Sequence, residues 1–355
     1  MSHTYEEIRS QPAVWQATIR SVHEQWSSIA PRIRLTPETQ FLLVGSGSSL
    51  HVARTAAHSL QETTRHVARA VASSEVFLSS DSTVPRDVPV LAFVISRSGE
   101  TSEAVLAAGH LVEHFDNVTV VGLTCTADTG LERRTHHSIK LADAAERSVV
   151  MTRSFTSLIL ALQMIGGSIA RDRHLVSELG RLPDLLVDHM ERSEHFAQGL
   201  GPDLNQDQFI FLGLGPNEGI AQDAMLKLKE MTQANTEAYN PLEFRHGPIS
   251  IVREGTTVVI LEGLRERAFM ADLENDLAER GAYVATIAPY PVTRAAARLD
   301  LHGEISDIAR CILYMPVLQL IAYHRAIAAG LDPDQPRNLT KVVVLSDVDR
   351  GSPSA

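Results

Sequence analysis

The sequence is poor in cysteine and has no excess of basic charge, and both absences narrow the possible functions. The 355 residues include two cysteines, Cys125 and Cys311, and neither stands in a CxxC or Cys/His spacing. We therefore expect neither a disulfide scaffold nor a structural zinc site. The 43 acidic residues outnumber the 32 lysines and arginines, for a formal net charge of −11. Such a balance gives no electrostatic footprint for nucleic acid.

Targeting signals and long apolar runs are missing as well. The N-terminal residues lack the basic flank and apolar run of a signal peptide. No apolar window approaches the length of a membrane span, because the run at 157–165 is short and is interrupted by Gln163. The sequence therefore predicts a soluble, cytoplasmic protein without a membrane partner.

The glycine-rich turn GSGSS at 45–49 lacks the features of a nucleotide-binding loop. Residue 50 is Leu where a GxGxxG motif has its third glycine, and no GxxxxGK[ST] motif is present. What remains is a strand-to-helix turn with the hydroxyls of Ser46, Ser48 and Ser49 and with free backbone N–H groups. Such a turn suits a small anion, although a purely structural turn remains the alternative.

Apolar runs of strand length alternate with helical segments in two rounds. Residues 209–224 resemble residues 41–56 in kind: an apolar strand, a G-x-G turn and an alanine-containing helix, offset by 209 − 41 = 168 residues. We interpret this as an internal duplication of two α/β domains, each a mainly parallel sheet flanked by helices. Further strands are expected at 89–96, 117–125, 256–263 and 282–290, and helices at about 154–180 and at 312–330.

The same pattern predicts four segments. These are a helical lead-in at 1–35, a first domain at 36–180, a second domain at 195–330 after a polar and acidic region at about 181–207, and a C-terminal loop and tail at 331–355. Candidate apolar positions of the lead-in are Ile8, Val14, Trp15, Ile19 and Val22.

A second serine-rich turn, SRSGET at 96–101, follows the expected strand at 89–96. Ser98 or Thr101 could simply cap the next helix, with Glu100 favouring its first turn. Capping and phosphate binding use the same exposed N–H groups and do not exclude each other. Two such turns at adjacent strand ends converge on one point, and their hydroxyls suit a phosphate monoester.

The helix expected at 216–231 and the stretch at 235–248 contain a dense set of ionisable groups. Lys227 and Glu230 lie one helical turn apart. His246 follows in EFRHGP, in a stretch that we expect to be largely irregular and that also contains Glu237 and Glu243. A carboxylate and an imidazole can move a proton between adjacent carbons and open a sugar ring. A solvated Glu and a capping His are the alternative.

Together these motifs resemble the sugar isomerase (SIS) family. The matching segments are EIRSQP, the SGS-S turn, SRSGET, RSFT at 153–156, AMLKLKEM, EAY…EFRHGP and DQPRNLTK at 334–341. They are similar to the isomerase half of glucosamine-6-phosphate synthase and to amino-sugar-phosphate deaminases. The resemblance implies two tandem SIS domains, each a flavodoxin-like three-layer sandwich.

The resemblance also implies roles for individual residues. Glu230 would shuttle the proton between C1 and C2, with Lys227 nearby. His246 would assist ring opening, in this family often from the neighbouring subunit of a homodimer. Lys341 would contact the open-chain carbonyl or its imine. The sugar phosphate would be held by Ser48, Ser49, Ser96, Arg97, Ser98 and Thr101.

Departures from the synthase pattern shape the expected activity. The sequence starts at the isomerase half, so we expect ammonia release rather than ammonia transfer from glutamine. The expectation is a deaminating isomerase that converts glucosamine 6-phosphate, or a similar hexosamine 6-phosphate, to ketose 6-phosphate and ammonia without metal or other cofactor. Arg97 and Met151 stand where the synthase has small polar residues.

Three alternatives remain open. They are a fructosamine-6-phosphate deglycase, an aldose–ketose phosphosugar isomerase and a non-catalytic sugar-phosphate sensor. EFRHGP also resembles the galactosamine 6-phosphate branch, which leaves the stereochemistry of the sugar open.

Overall fold

The structure is a computed structural model that describes residues 2–291 and 295–345. Within these residues two five-stranded sheets form, and every strand pair is parallel. The first has the order β2-β1-β3-β4-β5, and the second, read from its corresponding edge, has the order β7-β6-β8-β9-β10. The two tandem α/β domains with parallel sheets predicted from the sequence are therefore confirmed. The strands are β1 Gln40–Gly45, β2 Ala68–Ala72, β3 Val90–Ile95, β4 Val118–Thr124, β5 His137–Lys140, β6 Gln208–Gly213, β7 Asn235–Tyr239, β8 Thr256–Leu261, β9 Tyr283–Ala288 and β10 Ala297–Asp300.

Twelve α-helices and several short 3-10 turns surround the sheets in the described residues. The helices are α1 His3–Arg9, α2 Gln11–Ile29, α3 Ser48–Thr64, α4 Ser73–Leu78, α5 Ser80–Thr83, α6 Ser102–His114, α7 Arg153–Ala170, α8 Arg173–Leu200, α9 Pro216–Thr232, α10 Pro241–Phe244, α11 Arg267–Glu279 and α12 Asp307–Ala328. The tail predicted at 331–355 is described as far as residue 345.

The alternation of side chains along the central strands explains how each sheet is covered on both faces. In β1, Phe41 and Leu43 join the large core between the two sheets, whereas Leu42 and Val44 join a second core on the outer face, against α4 and α6. The central layer contains α3, α7, α9 and α12, and α3 packs against both α7 and α9. Because both faces are buried, these strands are continuous apolar runs.

The predicted helix at 154–180 and the polar region at 181–207 differ from the structure. The helix ends at Ala170 because Arg171 adopts a left-handed conformation, with φ of 55°. Asp172 then caps α8 by accepting a hydrogen bond from Leu175 N at 3.0 Å. Helix α8 runs to Leu200 and buries one apolar face. The many charged residues on its exposed face led the sequence analysis to predict a polar region here.

The segment 235–248 is more regular than the sequence analysis predicted. Its first five residues form the edge strand β7, paired with β6, and its middle forms the short helix α10, capped by Asn240. Tyr239 at the end of β7 donates a hydrogen bond to Glu237. Only Thr236 of this edge strand is fully buried, so β7 lacks the continuous apolar run by which the central strands were predicted.

The expectation that no window approaches a membrane span is wrong for α12. This 22-residue helix has a mean hydropathy of 1.3 in its apolar window, but 78% of that window is buried inside the structure. It packs against α8 and α9, as the core helix of an α/β protein does.

The two G-x-G turns have nearly the same backbone conformation. Gly47 has φ and ψ of 56° and −129°, and Gly215 has 59° and −127°, values that favour glycine. The helices that follow, α3 and α9, pack against each other across the two domains. Arg54 of α3 donates to the side-chain oxygen of Gln222 of α9 at 2.5 Å. The structure therefore brings the two turns and their helices into one central region.

Candidate functional site

The first predicted phosphate-binding turn ends β1 and begins α3. Ser48 and Ser49 are the first residues of the helix, where backbone N–H groups lack helical partners. Both side chains are buried, and Ser48 Oγ has no hydrogen-bond partner among the described residues. A buried hydroxyl without a partner at a helix N-terminus is a suitable donor to a small anion.

The second turn ends β3, the neighbour of β1 in the sheet, and leads into α6. Ser96 Oγ accepts a hydrogen bond from Gly99 N at 3.1 Å and donates to Thr101 Oγ1 at 3.4 Å. Ser98 Oγ accepts from Glu100 N at 3.2 Å. Thr101 is the N-cap residue of α6, yet its side chain makes no capping bond. The strand order reverses between β1 and β3, which is where parallel sheets bind ligands.

Arg97 lies in this turn, but its guanidinium is directed at other partners. Nη1 lies 3.2 Å from Glu146 Oε2, and Nη2 donates to the main-chain oxygen of Lys341 at 3.0 Å. Only 8% of the side chain is exposed. Arg97 therefore lies beside the tail. Among the described residues, its guanidinium bonds to Glu146, Val149 and Lys341 rather than to the hydroxyls of the turn.

Helix α9 presents the predicted base and its neighbour. Lys227 is fully buried and its ammonium donates to Glu230 Oε2, while Glu230 remains partly exposed. Burial alone would lower the pKa of Lys227, but the carboxylates of Glu230 and Asp223 outweigh burial and raise it. Lys227 is therefore an ammonium, a fixed positive charge next to a reachable carboxylate.

Asp223 and His51 connect α9 to α3 across the domain boundary. Asp223 is fully buried on α9, and its Oδ1 lies 3.3 Å from His51 Nδ1 on α3. Its Oδ2 has no hydrogen-bond partner among the described residues. The sequence analysis missed Asp223, although its i, i+4 spacing to Lys227 could have indicated it. Nothing local could have indicated His51, since the contact spans 172 residues.

His246 lies in a different environment from the other predicted catalytic residues. It follows α10, its side chain is exposed, and its backbone N–H donates to Glu243 O at 3.0 Å. No contact among the described residues joins it to Glu230 or Lys341. The neighbouring Arg245 pairs with Asp276 at 2.6 Å, and Glu243 is exposed.

Lys341, in the C-terminal tail, contacts the first domain. Its ammonium donates to the main-chain oxygen of Glu146. Upstream, Asp334 fastens the tail to the N-terminus, because its Oδ1 accepts from Thr4 N at 2.7 Å and its Oδ2 from His3 N at 2.8 Å. The tail therefore lies along the first domain and reaches the SRSGET turn.

Metal-ion ligands do not cluster in the described residues. Between residues 2 and 291 and between 295 and 345, no group of three or more His, Cys, Asp or Glu side chains is arranged to hold a metal ion. Both cysteines are buried, and burial raises the pKa of the Cys125 thiol well above its ordinary range and that of Cys311 to about 12. Neither is a nucleophile at neutral pH.

Comparison with known proteins identifies the family model and several relatives. The SIS domain model matches residues 34–166 and 204–328. Glutamine–fructose-6-phosphate aminotransferase (isomerizing) from Pyrobaculum aerophilum is 32% identical over 321 residues, which cover 85% of this chain and 51% of the relative. The enzyme of that name from Sulfurisphaera tokodaii is 29% identical over 72% of this chain and 42% of its own length. The chain thus spans about half the length of these curated relatives.

Solved structures match along nearly the whole chain. Glucosamine-6-phosphate deaminase from Thermotoga maritima has a TM-score of 0.79 and 26% identity, over 97% of this chain and 100% of its own. Tagatose-6-phosphate ketose/aldose isomerase from Escherichia coli has a TM-score of 0.83 and 23% identity, over 97% and 96% of the two chains. The second likeness, below 25% identity, is a likeness of fold alone.

Proposed function

The chain belongs to the SIS domain family, and we propose that it is a phosphosugar enzyme that isomerises and deaminates a hexosamine 6-phosphate. The observation that carries the proposal is the pair of Lys227 and Glu230 on α9, an ammonium beside a partly exposed carboxylate. The two hydroxyl-lined helix N-termini of the first domain support a phosphate ligand. The likeness to a glucosamine-6-phosphate deaminase over 97% of the chain supports the amino-sugar substrate.

In the proposed reaction, the phosphate binds at the turns that contain Ser48, Ser49, Ser96, Ser98 and Thr101. The imidazole of His246 transfers the proton that opens the sugar ring. The serine turns belong to the first domain and Glu230 lies on α9, so the bound substrate would lie between the first domain and α9.

Proton transfer and hydrolysis follow ring opening. Glu230 takes the proton from C2 of the open-chain aldose while O1 gains a proton, which gives an enolamine. Glu230 then returns its proton to C1 while the amino group loses one, so that a C2 imine forms. Lys227 holds Glu230 Oε2 and leaves Oε1 to take the proton. Water adds to the imine and ammonia leaves, giving ketose 6-phosphate. Lys341 contacts the open-chain carbonyl or the imine.

The test is ammonia release from glucosamine 6-phosphate, with galactosamine 6-phosphate in parallel. We expect Glu230→Gln to lower turnover roughly 10²- to 10⁴-fold, the contribution of a positioned base. Glu243→Gln, on the exposed side of α10, is the matched control and should keep wild-type turnover. No ammonia from either sugar with folded protein would refute the deaminase.

Other substrates in the same assay separate the remaining activities. Amine release from a fructosamine 6-phosphate would indicate a deglycase, and ketose formation from an unaminated aldose 6-phosphate would indicate a plain isomerase. Binding of a sugar phosphate without turnover of any of them would indicate a sensor.

The assembly that we propose is a cytoplasmic homodimer in which His246 reaches the partner's site. The exposure of His246 and its separation from Glu230 support this arrangement. Mixing inactive Glu230→Gln and His246→Asn dimers and allowing subunit exchange should restore about a quarter of the wild-type activity, because half the dimers then contain one intact site. Absence of restored activity, with exchange shown by mass spectrometry, would place His246 and Glu230 in one chain's site.

A further inference from the structure

The guanidinium of Arg97 joins three parts of the chain that are far apart in sequence. Nη1 donates to Glu146 Oε2 at 3.2 Å and to Val149 O at 2.9 Å, and Nη2 donates to Lys341 O at 3.0 Å. Because the group is planar and presents several donors in a fixed geometry, it can hold these acceptors at once. Its position in the SRSGET turn links the tail directly to the predicted phosphate site.

Glu146 is a rigid anchor for this link. Its carboxylate is fully buried and accepts hydrogen bonds from Thr152 N at 2.6 Å, Ser154 N at 2.9 Å and Ser154 Oγ at 2.6 Å, at the start of α7. Its main-chain oxygen accepts from the ammonium of Lys341. A carboxylate so fixed by backbone donors has little freedom to move, so Arg97 is oriented by the first domain.

The tail has a second attachment on the other side of the turn. Ser102 N, at the first residue of α6, donates to Val343 O at 3.3 Å, and Leu345 N donates to Ser102 Oγ at 3.1 Å. Residues 341–345 therefore follow the turn from Arg97 to Ser102. The tail therefore contacts both ends of the turn that we predict to bind phosphate.

We infer that Arg97 is a positioning residue, which clamps the Lys341 segment of the tail onto the phosphate turn through its bonds to Glu146 and Lys341. The role of Lys341 in turnover rests on the proposed function, whereas the clamp itself does not. The buried charge of Arg97 is paired with Glu146, so its guanidinium holds the tail and leaves the phosphate to the turn's hydroxyls and N–H groups.

Lysine acylation read by mass spectrometry tests the clamp without requiring activity. The chain has four lysines, Lys140, Lys227, Lys229 and Lys341, so each is readily followed. Arg97→Gln should speed the acylation of Lys341 roughly fivefold, the population change that corresponds to one net hydrogen bond. Acylation of the exposed Lys229 should stay unchanged. Arg253→Gln, which breaks the exposed pair with Asp207, is the matched control and should change neither rate.

Arg97→Lys protects the test against misfolding of the glutamine variant. It keeps a positive charge for Glu146, but its single ammonium cannot bridge the same acceptors, so Lys341 should again be acylated faster. Unchanged acylation of Lys341 in folded Arg97→Gln or Arg97→Lys would overturn the clamp.

Kinetics separate positioning from direct phosphate binding. If Arg97 acts through the tail, Arg97→Gln lowers kcat, leaves inhibition by inorganic phosphate unchanged, and adds no further loss to Lys341→Ala. A tenfold weaker phosphate inhibition with unchanged Lys341 acylation would assign the guanidinium to the phosphate and would overturn the proposal. If no substrate is turned over, the proposed function fails while the acylation result still decides the clamp.

Discussion

Gly219 on α9 is a point of close approach between helices of the two domains, and replacing it by alanine gives a sharp test of this packing. A Cβ at this position would lie 2.4 Å from Thr55 Oγ1 and 2.5 Å from His51 O, both on α3. The carbonyl oxygen belongs to the backbone, so rotating a side chain cannot relieve the contact. Helix α3 would have to retreat by about 1 Å to restore an ordinary van der Waals distance.

Two opposing effects set the size of the change. Alanine favours a helix over glycine by roughly 0.5–1 kcal/mol. Overpacking a buried contact costs roughly 1–3 kcal/mol, and more where backbone is involved. We therefore expect Gly219→Ala to lower the free energy of unfolding by about 1–2 kcal/mol. Gly180 in α8 is the matched control, because a Cβ there meets nothing within 4 Å, and Gly180→Ala should raise stability.

Urea unfolding of both variants beside the wild type measures the difference. The expected result is a lower midpoint for Gly219→Ala and a higher one for Gly180→Ala at similar slope. If Gly219→Ala were as stable as Gly180→Ala, the close contact between α3 and α9 would not exist in solution. That result would also remove the basis for the His51–Asp223 contact beside it.

Two further predictions concern buried titratable groups. Burial raises the pKa of Glu262 to about 7, so the folded protein holds this proton more tightly than the unfolded chain and loses stability as the pH rises through 7. Glu262→Gln cannot ionise, and its stability advantage should be larger at pH 8.5 than at pH 6, by roughly 1–2 kcal/mol in urea unfolding; an equal advantage at both pH values would contradict the assignment. His189 is fully buried, and neither ring nitrogen has a hydrogen-bond partner among the described residues. Burial lowers its pKa to about 3, so the ring is neutral, and His189→Leu should raise the free energy of unfolding by about 1 kcal/mol; a loss of stability would show that the ring has a partner, such as a buried water.

Elements with strong local signals could be predicted from the sequence. The central strands β1, β3, β6 and β8 are continuous apolar runs, because parallel strands with two covered faces bury every side chain. The edge strands β2 and β5 were not predicted. Each has at most five residues and contains polar or charged side chains, and its identity depends on the neighbouring strand rather than on its own pattern.

The residues of the candidate site likewise fall into those that local patterns predicted and those that only tertiary contacts reveal. The two serine turns and the Lys227–Glu230 pair are local patterns, and the structure gives each the expected setting at a strand end or on one helix. Glu146 and His51 belong to the site through contacts across 49 and 172 residues. No local spacing in the sequence could have predicted contacts over such separations. The surroundings of Arg97 depend on where the tail packs, which the composition of the tail does not reveal.

The contacts between α3 and α9 have the symmetry expected of an internal duplication. At the offset of 168 residues, Arg54 corresponds to Gln222, and these two side chains meet each other. Gly219 corresponds to His51, and Asp223 corresponds to Thr55. His51 contacts Asp223, while Gly219 closely approaches Thr55. A pattern in which position i meets position j, and j meets i, is the signature of an isologous two-fold interface.

The interface between the domains therefore has the form of a homodimer contact joined into one polypeptide. In an ancestor of two identical half-length chains, every residue at this contact would have served both halves at once. Fusion removed that constraint. One copy of the helix has Asp223 and Lys227 where the equivalent positions 55 and 59 of the other copy are Thr and Ser, whereas Glu230 and its equivalent, Glu62, are the same residue type.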